Sequence, residues 1–323
     1  MNKFLSISGG LLAAAVFVAT AATARADVAK LVIPTLPVPS LGYFTPPIIK
    51  SQSFDKKNGL DIKFVQKPAS TYRTDFAAGT DLIGGSGTLL ADTALLNEKG
   101  VKTVYLFNIF DFWGTVVVPK DSDIKTLADL KGKTLAAALP TTNYAMFRYF
   151  AKLGGLDMST VHPRGTTVPG LVPMALAGRT DGVELWEPAY SILTHDSNKF
   201  RAIDLVGKWK KATGSSLIPY LGVAAHESWI KQNGKLIPKL YKTYQSAAEF
   251  IKKHPTQAAK IIGKATKIPS DALEDLIKSD RLGLNVYWAG AHRKAAEKVF
   301  EAGMETGYLK KMPPASALYE PAH

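Results

Sequence analysis

Asp81-Leu82-Ile83-Gly84-Gly85-Ser86-Gly87-Thr88-Leu89-Leu90 reads as a short buried strand, a turn of small residues and the start of a helix. Gly84 to Thr88 carry almost no side-chain bulk, so a ligand can approach the backbone there. The free N–H groups of a helix start, with the positive end of its dipole, suit an anion or a polar acceptor. The same residues also suit an ordinary strand-to-helix turn that uses glycine for its shape. A hundred residues on, the pattern recurs. Ala78-Gly79-Thr80-Asp81 matches Ala177-Gly178-Arg179-Thr180-Asp181, and five residues past each Asp stand Ser86 and Trp186, followed by Gly87 and Glu187. Two alike units whose strand ends face one another across a cleft would explain the echo.

Outward from that stretch, the chain alternates strand and helix. Residues 29–34 and 60–65 read as strands, and 101–110 as a third apolar one. Helical patterns lie between them, which is the α/β signature of a mostly parallel sheet. A loop over 35–47 holds four prolines together with Ser40, Gly42 and Tyr43. An unusually long loop after a first strand is expected at the ligand face. Phe110-Asp111-Phe112-Trp113-Gly114 then breaks the pattern as a crossover into a second unit. There, Thr141, Thr142 and Asn143 precede a helix as a hydroxyl-rich second cradle, or as N-caps alone. The run 215–224 reads as the return crossover, and everything after it as helical.

Residues 1–26 combine Lys3, an apolar run and Ala24-Arg25-Ala26, the pattern of a cleaved export signal. The expected mature chain starts at Asp27 and is soluble, with no later segment apolar over ~18 residues. Cysteine is absent, so disulfides, thiol nucleophiles and a cysteine-linked lipid anchor are excluded. The net charge of +13 falls to +11 without Lys3 and Arg25, and the lysines are scattered rather than massed. That favours a basic exported protein over a nucleic-acid binder.

Catalytic patterns are missing. Gly84-Gly85-Ser86-Gly87-Thr88 fails as a G-x-S-x-G elbow at its last position, and no Walker loop or H-E-x-x-H occurs. The six histidines show no metal-ligand spacing. Glu184 and Glu187 are three apart, but a strand between them sends them to different faces or depths. What accumulates at strand ends and crossovers is aromatic and hydroxyl side chains, Tyr43, Tyr72, Phe112, Trp186, Thr71 and Ser86 among them, as a small-molecule cleft requires. Arg73, near a strand-to-helix mouth, is a candidate partner for a carboxylate or sulfonate.

These motifs resemble the periplasmic substrate-binding proteins of ABC importers in the nitrate/sulfonate/taurine group, which also includes binding proteins for a thiamine-precursor pyrimidine and for riboflavin. The resemblance is carried by 78–81 leading to Gly85-Ser86-Gly87, by Ile124-Lys125-Thr126-Leu127-Ala128-Asp129-Leu130-Lys131-Gly132-Lys133, and by 177–181 leading to Trp186-Glu187-Pro188. It implies an α/β, bilobal, type II periplasmic binding fold. Lobe 1 would comprise 27–112 and 219–323, and lobe 2 would comprise 113–218. Two crossovers would join them, and the hinge would close on ligand. It further implies that Ser40, Gly42, Tyr43, Thr71, Tyr72, Ser86, Gly87, Thr141, Thr142, Asn143, Trp186 and Glu187 line the cleft, with Phe112 added by the bulky crossover. The expected partners are a small organic solute and ABC importer permease subunits. The expected protein is a periplasmic monomer with no catalytic residues, metal or cofactor. The family's pyrimidine-synthesising enzymes carry a cysteine-rich motif that this chain lacks. The aromatic crossover argues against nitrate and for an organic anion, a sulfonate or an aromatic acid. A neutral pyrimidine or flavin, or an exported enzyme on the same fold, stands as the alternative.

Overall fold

The computed structural model describes residues 28–87, 89–195 and 197–321. The export-signal expectation for 1–26 lies outside the described residues. Among the described residues, eleven strands form three sheets. β1 (Ala29–Thr35) and β2 (Leu60–Gln66) pair in parallel. β3 (Ile83–Gly87), β4 (Thr103–Asp111), β10 (Pro219–His226) and β11 (Leu284–Trp288) form a second sheet in the order β11-β4-β10-β3. The third sheet is built from β5 (Gly114–Pro119), β6 (Thr134–Ala137), β7 (His162–Gly165), β8 (Gly182–Trp186) and β9 (Phe200–Asp204), in the order β7-β6-β8-β5-β9.

The four-stranded sheet departs from the parallel expectation. β10 returns from the far unit and inserts between β3 and β4, antiparallel to both. β11 adds a second antiparallel partner to β4, where the sequence pattern suggested helix alone. Its signal is brief: Gly283, at φ +60°, turns the chain into the short run Leu284-Asn285-Val286-Tyr287-Trp288. The five-stranded sheet is mixed. β6 is parallel to β7 and β8, while β5 is antiparallel to β8 and β9.

Each sheet system packs its own apolar core. Ile33, Ile48, Phe107, Val223, Leu240 and Tyr244 belong to the first, and Val116, Leu135, Phe147, Phe150 and Trp209 to the second. The chain passes between the systems twice, at 112–113 and 218–219. The passages are tied to each other, because Phe112 N donates to Ile218 O at 2.7 Å. The Arg293–Glu305 helix belongs to the C-terminal part of the chain, yet its Ala302 is buried in the second core.

The two Gly-to-Asp stretches, 79–81 and 178–181, have a local cause. Gly79 and Gly178 take positive φ after their helices. Asp181 Oδ2 then accepts from Thr134 N and Thr134 Oγ1, both at 2.7 Å, which pins the start of β8 to β6. Asp81 is held by Lys67 Nζ at 2.7 Å. Both aspartates therefore set where a strand begins.

Gly87 is dictated by a close approach. A Cβ there would stand 2.5 Å from the Tyr72 ring. Gly87→Ala is therefore expected to cost about 1–3 kcal/mol by overpacking and to lower the melting temperature by several degrees. Adding Tyr72→Leu should recover part of that loss, since the two positions share one contact. Strictly additive losses in thermal melts would contradict the packing described.

Candidate functional site

The expected site residues lie on the 40–43 turn, the Ala69–Ala78 helix, the ends of β3 and β8, the start of the Thr142–Leu153 helix and the first crossover. On the first side, the Leu41–Tyr43 turn is N-capped by Ser40, whose Oγ accepts from Gly42 N at 3.1 Å. Gly42 lies so close to β3 that a Cβ on it would stand 2.1 Å from Ser86 O. The 40–43 loop thus folds over the strand end and buries Ser86. Ser86 sits at φ +61°, a conformation costly for a residue with a Cβ. Its neighbour on the core side is Tyr244. The hydroxyls of Ser86, Tyr244 and Tyr72 are all buried, and none completes a hydrogen bond of ordinary geometry.

On the second side, the Thr142–Leu153 helix begins just past β6. Thr141 is its N-cap, accepting from Tyr144 N at 3.2 Å. Thr142 and Asn143 are buried in its first turn. Tyr220, at the start of β10, donates its hydroxyl to Asn143 Oδ1 at 2.8 Å, joining one side to the other. Asn143 Nδ2 is left with no partner. Phe112 stacks on Phe150 at 5.9 Å and meets Tyr220 edge-on at 5.3 Å. Together with Thr142 and Tyr220, Phe112 lines a narrow apolar cavity of about 40 Å³, closed on the other side by Leu90, Phe300 and Tyr308. A wider groove of about 460 Å³, between Ile230, Arg293 and Tyr319, lies away from these strand ends.

Two expected residues are placed differently. Thr71 is exposed in the first turn of the Ala69–Ala78 helix. Glu187 does not face Ser86. Its carboxylate accepts from Ser191 N at 3.1 Å and Ser191 Oγ at 3.0 Å, and pairs with Arg281 Nε at 2.9 Å. Arg281 comes from the Asp280–Leu282 turn of the first system and lies over the rings of Trp113 and Tyr190. Burial pushes the Glu187 carboxyl up, while Arg281 and Ser191 pull it back. The pair is a tie between the two systems, and Glu187 has spent its acceptor capacity within the protein. Trp186 is half-buried at the end of β8, opposite Gly114. Arg73 stands 3.7 Å from Asp92, with about a third of its side chain exposed.

Glu184, set aside in the sequence because a strand separates it from Glu187, is the least ordinary group here. It lies in β8 with 2% exposure, opposite Val116, and neither carboxyl oxygen has a partner. Burial alone pushes its pKa up to about 8. The only signal in the sequence was a charged residue inside the apolar run Val183-Glu184-Leu185-Trp186. Among the described residues no group of His, Cys, Asp and Glu is arranged to hold a metal ion, and no helix is long and apolar enough to cross a membrane.

The NMT1/THI5-like family model matches residues 48–258, about two thirds of the chain. The chain belongs to that family. No curated protein sequence matches significantly. Among solved structures, the periplasmic aliphatic sulphonate binding protein SsuA from Escherichia coli superposes with a TM-score of 0.74 at 17% identity, covering 91% of this chain and 92% of that one. The alkanesulfonate-binding protein SsuA from Xanthomonas axonopodis pv. citri, bound to MOPS, gives 0.71 at 19%, covering 91% and 99%. The desulfurization enzyme DSZB gives 0.62 at 12%, covering 88% and 94%. The fold is that of the type II periplasmic binding proteins, and it is shared with an enzyme.

Glu184 makes stability depend on pH. Its folded pKa lies above its ordinary value of 4.5, so between roughly pH 4.5 and 8 the folded chain holds a proton that the unfolded chain releases. Stability from this group is fully present below that window and is lost as pH rises through it. Glu184→Gln should therefore gain on the wild type by a few kcal/mol between pH 5 and pH 9. A constant difference across that range, in denaturant melts, would show that Glu184 is not desolvated.

Proposed function

We propose that this NMT1/THI5-like protein is a periplasmic solute-binding protein. It captures a small organic anion, of the sulfonate or aromatic-acid class, between two lobes and delivers it to the permease of an ABC importer. The observation that carries this reading is that both sheet systems hold buried hydrogen-bonding groups without partners near the crossovers: Ser86 Oγ in the first, Asn143 Nδ2 and Glu184 in the second. Buried polar atoms left without partners are rare in a finished core. These groups suit an oxygen-rich head group, and the rings of Tyr144, Trp186 and Tyr220 suit an apolar body. Two SsuA proteins among the structural neighbours, and the mature charge of +11, support an anion.

In this reading lobe 1 is 27–112 with 219–323, lobe 2 is 113–218, and the paired crossovers are the hinge. Export removes residues 1–26 and leaves a periplasmic monomer that works without a cofactor. An enzyme on the same fold is the rival, since DSZB shares the architecture. It is disfavoured because the chain has no cysteine, and because buried Ser86 has the phenol Tyr244 rather than a base beside it.

A thermal-shift screen of the mature protein tests this. Ethanesulfonate, benzenesulfonate, benzoate, nitrate, cytosine and riboflavin are the ligands. Saturation at a hundred times Kd adds about 2.7 kcal/mol, a melting shift of several degrees. Sulfonates or benzoate should shift the protein and be recovered unchanged, with nitrate inert. A shift confined to cytosine or riboflavin would replace the anion with a neutral heteroaromatic. Conversion of any compound to product would overturn the binding-protein reading.

A further inference from the structure

We propose that Glu184 contacts the ligand directly, acting as an uncharged carboxylic acid that donates its O–H to an oxygen of the anionic head. This rests on the anion reading above and names the group in lobe 2 that enforces it. Strand alternation puts Glu184 on the face of β8 that it shares with Gly182, where a Cβ on Gly182 would meet Val116, Leu130 and Leu135. Val183 and Leu185 take the opposite face, packed with Val117 and Ala136. The Glu184 face is covered by the Thr142–Leu153 helix, whose Phe147 and Phe150 fill the core below. Glu184, central in β8, is within electrostatic reach of Tyr144 in the first turn of that helix and stands one residue past the last β6–β8 ladder pair, Ala136 with Val183. Open α/β sheets hold their ligands at the carboxyl ends of their strands.

The groups facing it leave it no internal role. β5 presents Val116 across the ladder, and on the β6 side Ala136 is paired with Val183. The titratable groups within electrostatic reach are the phenols of Tyr144, from the helix, and Tyr220, from β10. Arg73 and Asp92, 3.7 Å from each other, act on Tyr220 from the first lobe. Tyr220 donates its hydroxyl hydrogen bond to Asn143 Oδ1, and Asn143 Nδ2, 3% exposed with its residue, remains as a second unused donor.

Burial keeps Glu184 protonated at neutral pH, its pKa raised to about 8. A protonated carboxyl needs an acceptor, and an ionised one needs a cation. An oxyanion supplies the first, through a short charge-assisted O–H···O⁻ bond. Once Glu184 ionises, the same position sets two like charges together in a medium of low dielectric, and the anion is expelled.

Calorimetric titration with benzenesulfonate at pH 6 and pH 9.5 tests the assignment, with ethanesulfonate and benzoate in parallel. Wild type should bind at pH 6 and weaken at least tenfold by pH 9.5. Glu184→Gln keeps a donor N–H and carries no titrating proton, so it should bind at both pH values with the fall abolished. Glu184→Met keeps the volume but cannot donate, and should lose at least tenfold at pH 6. Thermal melts verify that each variant is folded. If the Gln variant does not fold, the wild-type profile and the Met variant decide. Equal wild-type affinity at both pH values overturns the proposal and leaves the anion reading standing. So does a Gln variant that keeps the wild-type fall, or a Met variant that binds like wild type at pH 6. No binding of any of the three anions at either pH overturns the anion reading itself, and this assignment with it.

Discussion

The hydrogen bond from Phe112 N to Ile218 O, 2.7 Å long, holds the two crossovers side by side. Everything else about the molecule depends on that adjacency. Because the strands leave the first sheet system together, β10 can return between β3 and β4 as their antiparallel neighbour. Because they enter the second system together, β5 starts at Gly114 beside the end of β8 at Trp186. The strand ends that carry Ser86 and Glu184 are thereby placed on the two sides of one joint. The joint is braced by an acid. Asp111 accepts from Tyr287 OH at 2.6 Å and Asn285 Nδ2 at 2.8 Å, and burial raises its pKa to about 6. Aromatic contacts from Phe112 to Phe150 and Tyr220 fill the space between.

Two carboxylates at neighbouring positions of one strand end illustrate how environment assigns roles. Glu187 is buried but accepts three hydrogen bonds, two from Ser191 and one from the Arg281 guanidinium, so its charge is compensated. Breaking such a pair from one side costs more than never having made it. Glu184, three residues earlier, is buried with no partner at all. One carboxylate ties the two sheet systems together, and the other is left without a partner. Their spacing suggested an acid–base pair, but the pleat and the turn after β8 send them to unrelated surroundings.

Much of the architecture was legible. Val116-Val117-Val118 and Leu106-Phe107 announce buried strands, and Gly79 and Gly178 stop helices through the left-handed backbone that glycine takes cheaply. Thr141 was legible as an N-cap candidate and it caps, whereas Ser40, expected only within the ligand-face loop, caps the Leu41–Tyr43 turn. Long-range pairing was not legible. Nothing local says that β10 will enter between β3 and β4, or that Arg281 will find Glu187 across 94 positions. Glu184 was noticed only through its spacing from Glu187 and set aside because the strand separates them; that it is buried without a partner depends on the elements packed over β8.

The central claim is that one ligand is held by strand ends of both lobes at once. Hydrogen–deuterium exchange with and without saturating benzenesulfonate tests it most directly. Slower exchange is expected together in 83–87, 142–145 and 183–187, with no change in the groove around 315–320. Protection confined to one lobe, or centred on 315–320, would contradict the account.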